Sequence, residues 1–218
     1  AKIQPQDTLI FLGDYVDGWS DSARLIDYLI DLDQKLNCIF IRGNHDELFL
    51  AWLKNNEENQ MWQFHGGEST VKAYQNIETL TKNKHIQFLE NLQDYHLDSE
   101  NRLFVHAGFT NQNGVNHEYF STMFCWDRTL WELAISMDKS LDREHLHYPK
   151  RLKLYHEIYI GHTPVTNINQ TTPTNYANVW NVDTGAGFKG SLSILNVDTK
   201  EYFQSTPVYE LYNEVGFF

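Results

Sequence analysis

Cysteine is nearly absent from this sequence: of 218 residues only two, Cys38 and Cys125, carry a thiol. That excludes the disulfide framework on which small secreted proteins rely and favours a reducing, cytoplasmic setting. Basic charge is scarce as well. Seventeen Lys and Arg stand against 29 Asp and Glu, a formal charge of −12, so the molecule as a whole repels nucleic acid and anionic lipid and neither is expected as a partner. A phosphate-bearing ligand must then be attracted locally, and divalent cations are the natural source of such a field. No apolar run approaches the ~18 to 20 residues that span a bilayer, and no basic stretch precedes an apolar one at the N-terminus, as a secretory leader requires. Ala1 is an unusual start, consistent with loss of an initiator methionine, with processing or with a fragment. Repeats, low-complexity tracts and linkers are also missing, so a single domain over residues 1–218 is expected.

What is present is the material of a folded core: 41% hydrophobic and 21% charged residues, the proportions of a globular protein. Short β-rich runs recur at Thr8 to Leu12, Cys38 to Arg42, Leu103 to His106, Glu157 to Ile160, Val179 to Val182 and Ser191 to Val197, and read as buried or half-buried strands. Between the first two, Leu25, Ile26, Leu29, Ile30, Leu32 and Leu36 fall at helical spacing, with Ser20 or Ser22 available as the N-cap. Further helices are expected after Asp46, over Lys84 to Leu92, and from Asp127 to about Met137. Helices alternate with strands, and the later strands follow one another through turns, which predicts a mixed α/β domain with a pair of sheets sandwiched by helices.

Four segments place Asp, Asn or His directly after an apolar strand: Gly13-Asp14-Tyr15-Val16-Asp17, Gly43-Asn44-His45-Asp46, Val105-His106-Ala107-Gly108 and Gly161-His162-Thr163-Pro164. Strand ends in α/β proteins are where ligands bind, and the glycines allow backbone to approach closely. Each segment alone has an ordinary reading. Asp14 and Asp17 suit turns, His45 and His106 suit satisfied interior positions, and Arg128 suits an exposed helix start. The four in order outweigh those readings. His65 reads as a loop histidine and Asp183 as a turn stabiliser, while Tyr15, Trp19 and Phe109 either line a rim or pack.

In this order, and together with Trp62 to Gly67, Trp126-Asp127-Arg128 and Val182-Asp183-Thr184-Gly185, the segments resemble the calcineurin-like metallophosphoesterase superfamily. Within it, the resemblance is to the branch of serine/threonine protein phosphatases, their bacterial and bacteriophage relatives, and diadenosine tetraphosphatases. It implies an α/β fold with a β-sandwich of mixed sheets flanked by helices, and hydrolysis of phosphoesters by metal-activated hydroxide. It also implies that Asp14 bridges two metal ions and that Asn44, His106 and His162 complete the ligands of the second. Manganese or iron best suits such a donor set, with zinc also suitable. His45 would be the general acid, positioned by Asp17. Arg128 would grip phosphate oxygens, and Asn44 would also face the substrate.

Two departures from the family pattern qualify the reading. Gly18 and Trp19 follow Asp17 where protein phosphatases of this branch carry arginine, which weakens the case for a phosphoprotein substrate. No Asp-x-His precedes Asp14, so the family's first strand and two ligands of its first metal are missing. Asp7, ahead of the Thr8 to Leu12 strand, lies at the wrong end to replace them. One metal rather than two is then expected for this chain, unless an upstream segment or a strand donated by another chain completes the site. Phosphomonoesters, including phosphoproteins, are the first expected substrates. Dinucleoside polyphosphate hydrolysis is the enzymatic rival, and a metal-binding regulatory protein without turnover is the rival of another class.

Overall fold

The computed structural model describes residues 3–212. The expected domain therefore extends at both ends to residues outside those described. The chain begins β1 (Thr8–Phe11), α1 (Ser22–Asp33), β2 (Asn37–Phe40), α2 (Asn44–Asn55). Helix α3 (Gln60–Trp62) is joined to α4 (Glu68–Ala73) by a kinked turn, Gln63–Gly67, in which His65 and Gly66 leave helical geometry, and α5 (Thr79–Glu90) follows. Then come β3 (Tyr95–Leu97), β4 (Arg102–Val105), α6 (Thr122–Trp126), α7 (Thr129–Ser136), α8 (Lys150–Lys153) and β5 (Glu157–Ile160). Strands β6 (Thr174–Tyr176), β7 (Val179–Asn181), β8 (Ser193–Leu195) and β9 (Tyr202–Gln204) close the described fold.

The mixed α/β architecture agrees with expectation. Strands β1 and β2 pair in parallel, in register from Thr8 opposite Asn37 to Phe11 opposite Phe40, as two strands joined by a crossover helix must. A five-stranded sheet has the order β3-β4-β5-β7-β6, with β4, β5 and β7 parallel and the edge strands antiparallel. Strands β8 and β9 form an antiparallel pair. Because parallel strands share their direction, the C-terminal ends of β1 and β2 lie side by side, as do those of β4 and β5. The four chemistry-bearing segments start at these ends.

One apolar cluster packs Leu130, Trp131 and Leu152 onto Leu103, Val105, Ile158 and Ile160 of the larger sheet. A second gathers Ile26, Leu29, Phe49, Trp62, Tyr74 and Leu89 around Phe40. Helix α1 presents Ile26 and Leu29 to this cluster, while Leu25 and Tyr28 remain 40% and 60% exposed. The latter two line a cavity of about 2850 Å³, together with β1, β8, and Phe104 and Tyr159 of the larger sheet. Among the described residues β1 pairs only with β2, and β8 only with β9.

Several boundaries differ from the sequence reading. Asp21 caps α1, without a side-chain capping bond. Ser22 is instead the first helical residue, and its hydroxyl meets Thr70 Oγ1 at 3.0 Å. Helix α2 begins at Asn44 rather than after Asp46, because Asp46 closes its first turn by accepting the Gly43 N–H. Helix α5 starts at Thr79 rather than Lys84, and the strand expected over Ser191 to Val197 is confined to Ser193–Leu195.

Candidate metal centre

Asp14 lies three residues beyond β1, in left-handed backbone with φ of 59°. Its amide and that of Tyr15 donate to the two oxygens of Asp46, each at 2.8 Å. Gly43 N–H donates to the same carboxylate at 2.8 Å. One buried side chain on α2 therefore ties the loop after β1 to the loop after β2. Glycine is required where the loops touch: a Cβ on Gly43 would fall 2.1 Å from Asp14 Oδ1. Tyr15 is buried, its hydroxyl donating to the Ile41 carbonyl at 2.8 Å, and Phe109 is fully buried, so both pack rather than line a rim.

Asn44, the first residue of α2, is buried, with Oδ1 2.9 Å from His162 Nδ1 and 3.2 Å from His106 Nε2. His106 follows β4 and is 1% exposed. Its Nδ1 donates to the Leu12 carbonyl at 2.5 Å, which fixes the ring. Its Nε2 then faces Asn44 and, at 3.3 Å, Asp14 Oδ2. His162, after β5, has a φ of 65° and lies 5.1 Å from His106 between ring centroids. Ligand atoms of Asp14, His106 and His162 all lie within 4.8 Å of one another, and Asn44 Oδ1 sits between the two rings.

This donor set fits a divalent transition metal: one carboxylate, one amide oxygen and two imidazoles, with one ring oriented by a backbone carbonyl in the manner of metal-ligating histidines. Burial alone would raise the Asp14 pKa, but His106 and His45 outweigh it and hold the carboxyl below the usual range. Burial, then the like charges of His106 and Arg128, push His162 down to about 3, which keeps it neutral, as a ligand must be. Burial opposes charge on His106, yet Asp14 raises its pKa overall. A cation held here would take the place of the proton that lies between His106 and Asp14.

His45 stands beside the centre, its amide donating to Asp14 Oδ1 at 3.0 Å. Its Nδ1 lies 2.6 Å from Asp17 Oδ2, with the imidazole 25% exposed and the carboxylate 3%. Burial works against charge on His45, but the Asp17 bond and the Asp14 carboxylate raise its pKa to about 9. Asp17 also accepts Trp62 Nε1–H and the Thr70 hydroxyl, both at 2.6 Å. Asp46, Trp62 and Thr70 are positioning residues to which the sequence reading gave no role. Asp46 and Trp62 at least lie inside the quoted segments, whereas nothing in the spacing marks Thr70.

Arg128 is exposed at the start of α7, its Nε 3.4 Å from His162 Nε2. His65 is exposed on the kinked turn and lines the same cavity. Asp183 accepts the Gly185 N–H at 3.0 Å, in keeping with a turn stabiliser. Trp19 stacks on Tyr212 at 4.8 Å and donates to the Ala186 carbonyl, walling the cavity where an arginine was missed. Asp7 is engaged in the turn before β1, accepting the Gln4 N–H.

Residues 1–189 match the family of calcineurin-like phosphoesterases. The chain is 28% identical over 202 residues to the asymmetrical bis(5'-nucleosyl)-tetraphosphatase PrpE of Anoxybacillus flavithermus, covering 88% of this chain and 76% of that protein. Among solved structures it resembles one described provisionally as a diadenosine tetraphosphatase, at TM-score 0.61 and 17% identity over 98% of this chain and 84% of the other. It also resembles a serine/threonine phosphatase from Saccharomyces cerevisiae, at TM-score 0.57 and 16% identity over 94% and 73%. At such identities the two structures speak for the fold alone.

Proposed function

Since the chain belongs to the calcineurin-like phosphoesterases, and so is a phosphoric ester hydrolase, we propose that it cleaves phosphomonoesters, phosphoproteins among them, with His45 protonating the departing oxygen. The convergence of Asp14, Asn44, His106 and His162 from four separate strand ends carries this reading. Divalent cations, manganese or iron by the donor chemistry, supply Lewis acidity and an acidified water when bound. The chain's own groups do the rest. Arg128, beside His162, grips phosphate oxygens with a planar, permanently charged fork. Asp17 holds His45 Nδ1, leaving Nε2 as the nitrogen that delivers a proton. Asn44 serves both the cation and the phosphoryl oxygens.

A second reading, hydrolysis of dinucleoside polyphosphates, is supported by the name of the curated relative and by aromatic side chains along the cavity, among them Phe64 and Trp126. Chromatography of the products from diadenosine tetraphosphate and from a phosphomonoester panel separates the two. The apolar groove between single-paired β1 and β8 supports one more element of the proposal. A further strand, from sequence outside the described residues or from another chain, would fill it and bring donors for a second cation to the Asp14 rim. A cytoplasmic setting is part of the same reading, supported by two free cysteines. No helix among the described residues is long and apolar enough to cross a membrane.

The decisive experiment combines metal analysis with turnover of p-nitrophenyl phosphate and of an alkyl phosphate in manganese. Asn44→Ala should lose both bound metal and turnover, whereas His45→Asn should keep the metal and lose about 10²- to 10⁴-fold in kcat on alkyl phosphates. Robust activity unchanged in Asn44→Ala, or alkyl phosphate turnover unchanged in His45→Asn, would refute the assigned roles.

A further inference from the structure

The leaving group of any phosphoester bound at the Asp14 centre must emerge on the side of His45, because the acid has to reach the oxygen that departs. The kinked turn Gln63–Gly67 packs against Asp17, the residue that holds His45. The turn is bolted to the residue that positions the acid: Trp62, immediately before it, donates to Asp17 at 2.6 Å, and Gly66 O accepts Gly18 N–H at 3.2 Å. A Cβ on Gly66 would lie 2.9 Å from Gly18 N and 3.3 Å from Asp17 Cβ, so no side chain fits between the turn and the Asp17 loop.

This rigid turn holds a large ring out in water. Phe64 is 74% exposed, lines the same cavity as the metal-centre side chains, and meets His65 at 5.3 Å in a perpendicular contact that steadies both rings. A bare phenyl contributes nothing to the fold from there. Together the pair offers an aromatic surface and, alongside it, imidazole nitrogens able to meet a polar edge. A nucleobase has both features, a flat π face and a hydrogen-bonding rim.

We infer that Phe64 and His65 form the subsite for the base of a nucleotide leaving group, with Phe64 as the stacking platform and His65 meeting the edge of the base. This rests on the dinucleoside polyphosphate reading and names the residues that would give it specificity.

The test is equilibrium binding of adenosine 5'-monophosphate and ribose 5-phosphate, which differ only by the base, to manganese-loaded protein. The wild type should prefer the adenine ligand by about tenfold, Phe64→Ala should erase the preference, and Phe64→Trp should retain it. Inorganic phosphate should bind Phe64→Ala as it binds wild type, which shows an intact centre. A preference that survives Phe64→Ala, or that is absent from the wild type, overturns the inference. Because binding is read rather than turnover, that result stands apart from the His45 and Asn44 outcomes, which bear on the reaction itself.

Discussion

Replacing Asp17 by Asn separates the charge of the positioning carboxylate from its shape. Asp17 Oδ2 accepts from both His45 Nδ1 and Trp62 Nε1, at 2.6 Å each, while Oδ1 accepts from the Thr70 hydroxyl. An asparagine can keep its oxygen towards the imidazole and indole and turn its NH₂ to Thr70. That hydroxyl is free to reverse because Ser22 Oγ lies 3.0 Å away as an alternative acceptor. The geometry survives and the charge is lost. A hydrogen bond to a charged group is stronger than a neutral one by roughly 1 to 1.5 kcal/mol, so the His45 pKa should fall by about one unit. The wild-type His45 pKa is raised to about 9, so the acid form, and the activity depending on it, is present below that pH and lost as pH rises through it. In Asp17→Asn the falling limb should move to lower pH. The assay is kcat on two leaving groups. Glycerol phosphate releases a strongly basic alkoxide that needs the proton, and should lose about 10- to 100-fold; p-nitrophenolate departs without help, and should lose less than about threefold. Equal losses on both substrates, or loss of bound metal, would refute the assignment of Asp17 and His45.

The parts of the site legible in the sequence are those made by residues next to one another. Asp14, Asn44, His106 and His162 each follow a strand within a short string; parallel pairing sets the ends of β1 and β2 side by side and those of β4 and β5 side by side, and the bond from His106 to the Leu12 carbonyl joins the two pairs at one rim. The supports of Asp17 were not legible, because Trp62 and Thr70 lie 45 and 53 positions away and no spacing rule links them to it. The kink at His65 and Gly66 adds to the difficulty by breaking the helical period of its own segment. Asp46 was visible inside its string, but its function, accepting N–H groups from a loop 31 and 32 positions earlier, is a tertiary one. Strands β3, β6 and β9 escaped because none contains the Val or Ile that marks the equally short β7 and β8. The cap of α1 was misassigned to a serine because the Ser22 hydroxyl is drawn to Thr70, where it supports the Asp17 loop.

Arg128→Ala should raise KM for phosphomonoesters by about tenfold or more, as loss of a charge-assisted bond implies, and Arg128→Lys should restore only part of it because an ammonium cannot make the paired contact. Unchanged steady-state kinetics in Arg128→Ala would mean that the guanidinium is an ordinary exposed cation. Far from the metal centre, His85 is fully buried, with Nδ1 2.6 Å from the Tyr74 hydroxyl and Nε2 3.0 Å from Asp27. His85→Leu strands the hydroxyl of Tyr74, itself 0% exposed, at a cost of about 1 to 3 kcal/mol, or a fall of about 2 to 12 °C in Tm, with kcat unchanged. Adding Tyr74→Phe removes the orphaned group, so the double variant should melt above His85→Leu alone, since deleting both partners of a buried bond is far milder than deleting one. Absence of that recovery would mean that the cost arises from repacking around the lost imidazole ring rather than from an unmet hydroxyl.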